Sequence, residues 1–148
     1  MGLLTFKGGI HPNDGKSLAK DQPIKEVIPT GKMIYPLSQH IGAPATAIVA
    51  KGDAVLKGQK IAEAGRFVSA PIYSSVSGKV LALEKHLNPT GNSVDCIVIE
   101  NDGEYNEVEY SCSKALGELS KEEILNKIGE AGIVGMGGAG FPTRVKLS

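Results

Sequence analysis

Glycine interrupts this chain so often that long regular elements have little room to form. It supplies 19 of the 148 residues, nearly twice the usual share of about 7%. Much of it sits at corners, as in Gly52-Asp53, Gly58-Gln59 and Gly78-Lys79. A glycine corner supplies the positive φ that other residues resist. Between the corners lie short apolar runs: Val49-Ala50, Val55-Leu56, Ile61-Ala62, Ile72-Tyr73 and Val80 to Leu83. Strands that reverse every few residues fit this texture, and the chain is predicted to be mainly β. Val94 to Ile99 carries the strongest strand signal, and its near-continuous apolar run predicts burial on both faces. Met33 to Leu37 is predicted at a sheet edge or strand end, because Pro36 cannot donate to a ladder. Thr46 to Lys51 reads as a further strand. Asn101-Asp102-Gly103 reads as a turn, with Tyr105 to Tyr110 as the second strand of a hairpin. Residues 1–24 are rich in turn formers and read as an irregular arm pinned by Leu3, Leu4, Phe6 and Ile10.

The texture changes near Ser111. Ser120 and Glu123 have the spacing of a capping box, and Ile124, Leu125 and Ile128 follow at helical spacing. Gly129 or Gly132 ends this short helix. Residues 1–112 therefore read as a β-rich unit and 113–148 as the start of something different. Four of the six residues 135–140 are glycine, and Phe141-Pro142 follows directly. Backbone N–H groups in such a run can approach and converge on an anion. Pro142-Thr143 can open a helix, and Arg144 and Lys146 stand ready to add charge. The pattern is neither a P-loop nor a dinucleotide-binding fingerprint. A flexible linker is the competing reading, although Phe-Pro directly after the glycines is unlike a solvated linker.

Charge and cysteine content narrow the functions. Lys plus Arg and Asp plus Glu number 16 each, so no field draws in nucleic acid. No apolar stretch approaches the ~20 residues of a spanning helix, and the chain reads as cytosolic, without direct membrane insertion. Cys96 and Cys112 are too few and too far apart for a metal site and read as reduced thiols. His11 and His40 suit turn-stabilising hydrogen bonds, and His86 suits the surface. Ser74, Ser75 and Ser77 form a hydroxyl-rich turn without a nucleophile elbow.

Gly135-Met-Gly-Gly-Ala-Gly-Phe-Pro-Thr143 with Lys146 resembles the flavin- and NADH-binding loop of the NADH-binding flavoprotein subunit of respiratory complex I. It resembles more closely the corresponding loop of RnfC, a component of the ion-translocating Rnf electron transport complex. Phe6-Lys-Gly-Gly-Ile-His-Pro12, Gln39-His-Ile-Gly-Ala-Pro44, Gly52-Asp-x-Val-x-x-Gly-Gln59 and Ser69-Ala-Pro-x-x-x-Ser-Val-Ser-Gly78 are also similar to RnfC. The resemblance runs along essentially the whole chain. Met136 departs from the complex I loop, which has Arg there, and Arg144 stands where related subunits often have His or Gly. The middle region also resembles lipoyl and biotinyl carrier domains. Its hairpin tip, Glu63 to Phe67, offers Arg66 and no lysine, and a guanidinium cannot form the carrier amide.

The resemblance to RnfC implies a barrel-sandwich hybrid region over 1–112, followed by a short helix and the truncated start of an α/β flavin/NADH-binding domain over 113–148. The chain is then the N-terminal part of a peripheral subunit on the cytoplasmic face of the membrane. The parent complex couples ferredoxin–NAD electron transfer to Na⁺ or H⁺ translocation. FMN and NADH are implied for the full-length parent, with two [4Fe–4S] clusters in a C-terminal region absent here. Gly135, Gly137, Gly138 and Gly140 are implied to meet FMN or NADH through backbone N–H groups and close contacts. Phe141 packs on the nucleotide and Lys146 reaches a phosphate. No catalytic or metal-binding residue is implied. The partners are other Rnf subunits and NAD(H). This portion alone is expected to be inactive and to bind no cofactor, with the stretch after Gly132 mobile or held by a neighbour. A non-enzymatic docking or carrier-type β-module, without covalent cofactor, is the other reading.

Overall fold

A computed structural model describes residues 12–111 and 114–148. Cys112, His11 and the expected arm anchors Leu3, Leu4, Phe6 and Ile10 lie outside the described residues. The described chain is mainly β. Strands β1 (Lys32–Pro36), β3 (Ala54–Val55), β6 (Gly78–Leu87) and β7 (Ser93–Asn101) form one sheet in the order β1-β7-β6-β3. Strands β2 (Thr46–Ala47), β4 (Lys60–Glu63) and β5 (Ile72–Tyr73) form a second, ordered β2-β4-β5. All pairs are antiparallel. Helices α1 (Lys121–Glu130) and α2 (Thr143–Leu147) follow.

The core lies between the two sheets. Tyr35, Val55, Val80, Ile97 and Ile99 come from the first, and Ile61, Ala62 and Ile72 from the second. Cys96 to Ile99 are all buried, as the apolar run of β7 predicts. β1 and β6 pair with the two edges of β7, and Ile97 and Ile99 face the core. Pro36 ends β1, which is the outer strand of its sheet, so its missing N–H breaks no ladder. Burial also pushes the Cys96 thiol pKa up, and its Sγ lies 3.4 Å from the Val94 carbonyl.

Two strand expectations need correction. Tyr105 to Tyr110 forms no strand, and the hairpin partner of β7 is the preceding β6. Tyr105 has φ 54°, which breaks an extended run. Its hydroxyl donates to the Pro29 carbonyl at 2.5 Å, and the Asn106 N–H goes to Ser77 Oγ at 2.9 Å. Side-chain anchors thus take this segment out of the ladder and leave a single bridge, Lys57 to Glu107. The strand expected over Thr46 to Lys51 is shorter than its apolar run. Pairing continues only to the Ile48 N–H, which donates to the Ile61 carbonyl at 3.0 Å. Asp53 then accepts from the Ala50 N–H at 2.8 Å and turns the chain.

The serine-rich turn is structural. Ser74 Oγ donates to the Val76 carbonyl at 2.6 Å, and Ser77 Oγ donates to Asp102 at 2.7 Å. The Glu104 N–H and the Ser77 hydroxyl hold the Asp102 carboxyl below its ordinary range. Next to it, Gly78 runs so close to β7 that a Cβ there would lie 1.9 Å from the Glu100 carbonyl oxygen.

Gly78→Ala should therefore destabilise the fold by about 2 kcal/mol or more, measured as a lower midpoint in urea; an unchanged midpoint would contradict the close approach. Every residue of the main core falls between Met33 and Tyr105, so a chain ending at residue 112 should melt cooperatively with a β-type circular dichroism spectrum. A broad, non-cooperative melt would show that the helices are needed for folding.

Candidate functional site

Helix α1 begins as the capping box predicts. The Glu123 N–H donates to Ser120 Oγ at 3.2 Å, and the Ser120 N–H donates to Glu123 Oε2 at 2.8 Å. The helix ends at Glu130, and Gly132 follows with φ 66°, so the later of the two candidate glycines makes the stop. That end is docked on the β-unit. Lys60 of β4 reaches Glu130 at 2.8 Å and Glu63 at 3.1 Å. The Tyr73 hydroxyl of β5 donates to the Glu130 carbonyl. A Cβ on Gly132 would lie 2.6 Å from the Pro71 carbonyl oxygen, so only glycine lets the chain turn this close to β5. The Glu130 carboxylate holds the Lys60 ammonium pKa well above its ordinary value. Burial pushes the Tyr73 phenol up.

From Gly132 the chain enters the glycine loop. Val134 pairs with Pro142 in an isolated bridge, the Gly135 N–H donates to the Phe141 carbonyl at 2.9 Å, and the Thr143 N–H donates to the Ile133 carbonyl at 3.0 Å. These bonds close the loop at its base. The Ile41 N–H of the β-unit donates to the Gly140 carbonyl at 2.9 Å. The stretch after Gly132, expected to be mobile or held by a neighbouring molecule, is thus folded back and bonded to the chain's own β-unit.

Between loop and β-unit lies a cleft of about 600 Å³, within the usual range for small-molecule sites. Gly135, Met136, Gly138 and Gly140 line one side; Tyr35, His40, Pro71 and Tyr73 line the other. Of the residues expected to bind a cofactor, Gly135, Gly138 and Gly140 face this cleft, while Gly137, Phe141 and Lys146 do not line it. Lys146 is exposed on α2. Arg144 turns the other way: its guanidinium donates to Asn126 at 2.9 Å and its stem covers Gly129 on α1. Gly140 has φ 69°, so its own backbone requires glycine. At Gly137 and Gly138 a Cβ would meet nothing within 4 Å, so no contact among the described residues explains why they are glycine.

The β-unit wall is the part that patterns along the sequence do not reveal. Tyr73 and Tyr35 lie in short strand-like runs, and the Gln39–Pro44 and Ser69–Gly78 motifs carry a family-level signal without saying that they face the glycine loop. His40 makes the turn-stabilising bonds expected of it: Nε2 accepts the Ala70 N–H at 3.1 Å, and Nδ1 lies 3.1 Å from the Ile41 carbonyl. His86 sits near the surface, 3.0 Å from Glu84. Arg66 is exposed at the hairpin tip between β4 and β5. Among the described residues, no three His, Cys, Asp or Glu side chains converge as a metal-binding group, and no helix is long and apolar enough to cross a membrane.

The family model for the RnfC barrel sandwich hybrid domain matches residues 4–104. The chain is 48% identical over 147 residues to the C subunit of the proton-translocating ferredoxin:NAD(+) oxidoreductase complex of Clostridium ljungdahlii, covering 99% of this chain and 32% of that protein. It is 44% identical over 146 residues to the C subunit of the Na(+)-translocating ferredoxin:NAD(+) oxidoreductase complex of Acetobacterium woodii, covering 97% of this chain and 33% of that protein. It is 38% identical to the C subunit of the ion-translocating oxidoreductase complex of Serratia proteamaculans, covering 98% of this chain and 21% of that protein. The chain thus spans a third or less of the length of these relatives.

Lys60→Met should loosen the helical dock and cost up to about 1 kcal/mol, because the pair is partly exposed. The raised lysine pKa fixes the sign of the pH dependence. The contribution is complete below the unfolded lysine's ordinary 10.5 and is lost as pH rises through the folded value. Chemical denaturation of both proteins across pH should show a constant difference near neutrality that shrinks in strong alkali. A difference that grows with alkalinity would contradict the assignment.

Proposed function

This chain belongs to the RnfC family through its barrel-sandwich hybrid domain, and on that premise we propose that it is the N-terminal part of a peripheral NADH- and flavin-handling subunit. Its complex would transfer electrons between ferredoxin and NAD, coupled to Na⁺ or H⁺ movement, at the cytoplasmic face of a membrane. Its partners would be the other Rnf subunits and NAD(H). Residues 113–148 would begin a flavin/NADH-binding domain whose remainder, with two [4Fe–4S] clusters beyond it, belongs to the full-length protein.

The observation that carries this reading is the open space over Gly138, where the backbone lines the cleft and no described atom lies within 4 Å of an added Cβ. Glycines that the chain itself does not need are expected where a ligand meets the backbone. Flavin fits the opening in kind: backbone amides on one side, and the Tyr35 and Tyr73 side chains with Pro71 on the other. Bound flavin would exchange hydride with the nicotinamide and single electrons with the clusters. The chain's own contribution is to hold and orient. Gly135, Gly138 and Gly140 offer a close backbone approach, Phe141 would pack against the nucleotide, and Lys146 would supply charge to a phosphate from α2. The two loop-base bonds and the docked α1 keep the backbone preorganised before any ligand arrives.

A Cβ at position 138 meets no described atom within 4 Å, so Gly138→Ala should leave the melting temperature unchanged, and the bulkier Gly138→Val should weaken FMN or NADH binding by the full-length protein by roughly tenfold or more. Lys146→Ala should cost roughly 1.5–3 kcal/mol if its phosphate bond is charge-assisted. Fluorescence titration with FMN and calorimetric titration with NADH are the measurements. Wild-type affinity for both ligands in the Gly138→Val protein would overturn the reading.

A further inference from the structure

The glycine loop is not held by its own base alone. A chain of three hydrogen bonds runs to it from Ala70, on the β-unit wall of the cleft. The Ala70 N–H donates to His40 Nε2 at 3.1 Å. An imidazole nitrogen that accepts carries no proton, so the ring proton sits on Nδ1, 3.1 Å from the Ile41 carbonyl. The other side of the same residue, the Ile41 N–H, donates to the Gly140 carbonyl at 2.9 Å. The contact is close on the loop side too: a Cβ on Gly140 would lie 3.6 Å from the His40 Cα and 3.6 Å from the Gln39 carbonyl. His40 itself lines the cleft and is half-buried.

We infer that His40 is a positioning residue for the glycine loop: its imidazole braces the Gln39–Ala43 turn against Ala70, and the turn hands that position to Gly140 through the Ile41 peptide. The barrel-sandwich unit is then a working part of the cleft. It sets the height of the loop over the Tyr73 wall, which decides how much room a planar ligand finds. No other described side chain ties Ala70 to this turn. A second bond, Ala43 N–H to the Val68 carbonyl at 2.9 Å, holds only the far end of the turn. Gly42 also lies against Val68, so the imidazole is the described side chain that braces the His40–Ile41 part of the turn, the part that reaches Gly140.

The inference rests on the flavin reading for its consequence and not for its geometry, and the test separates the two. Amide hydrogen exchange is followed without ligand in the full-length protein, comparing wild type with His40→Phe and His40→Gln. The phenyl ring keeps the bulk and loses both bonds, whereas the Gln carbonyl oxygen can replace Nε2 toward the Ala70 N–H. In His40→Phe, peptides spanning Gln39–Ala43 and Val134–Pro142 should exchange roughly three- to tenfold faster, the range for losing one or two hydrogen bonds. Peptides of β6 and β7 should be unchanged. His40→Gln should restore much of the protection. Unchanged loop exchange in His40→Phe overturns the inference, as does faster exchange spread evenly over β6, β7 and the loop. If His40→Phe does not fold, loop exchange in His40→Gln must lie at or near wild type, and unprotected loop peptides there overturn it. FMN titration of the same proteins is the second arm: FMN affinity should fall in His40→Phe and recover in His40→Gln. If the wild type itself binds no FMN, the flavin reading fails while the exchange result still decides the role of His40.

Discussion

Four consecutive residues of β7, Cys96 to Ile99, are withdrawn from water on both faces, and most of the architecture follows from where they must go. A strand buried on both sides needs a neighbour at each edge and cover on each face. β1 and β6 take the edges in long antiparallel registers. The second sheet, through Ile61, Ala62 and Ile72, covers the side that carries Ile97 and Ile99. The bulge between Val80 and Ala82 lets β6 curl around that core, and the contact between Gly78 and the Glu100 carbonyl sets how tightly it does so. Each apolar side chain buried here is worth about 1.5–3 kcal/mol, so these few positions outweigh the surface ion pairs.

The same economy explains how a helical segment with no buried residue of its own in α1 is fixed in place. It is not held by a second core. It is held at one end, where Gly132 passes under the Pro71 carbonyl, Tyr73 donates to the last helical carbonyl and Lys60 shares two carboxylates. Those contacts point the chain back toward β5, so the glycine loop has to lie across the mouth of the β-unit. The cleft is a consequence of this docking, and both its walls belong to one chain.

What could be read from the sequence divides along physical lines. Local rules worked where one element decides its own state. The capping box at Ser120, a helix stop at Gly129 or Gly132, the strand end at Pro36 and the buried run of β7 each need only neighbours in sequence, although the choice of Gly132 came from the structure. The prediction failed at Tyr105 to Tyr110 because alternation describes a face and not a partner: the Tyr105 hydroxyl found Pro29, some seventy residues away, and Asn106 found Ser77. The glycines of the loop stood out by composition. Their opposite wall did not, since nothing in the local pattern of Tyr35, His40 or Tyr73 says that these side chains face a loop that begins at Gly135, far along the chain. Arg144 shows the converse: a charge close to the loop in sequence is turned away by its bond to Asn126.

The central claim is that the β-unit and the glycine loop are packed together as the two walls of one cleft. Nuclear Overhauser contacts in the isotope-labelled protein measure this directly. The Gly132 α-protons should show strong cross-peaks to the Tyr73 ring, whose Cε2 lies 3.3 Å from where a Gly132 Cβ would stand, and the Gly140 α-protons should show cross-peaks to the His40 α-proton. If both sets are missing while cross-peaks between β6 and β7 are intact, the helical segment and its loop are separate from the β-unit, and the account of the cleft is wrong.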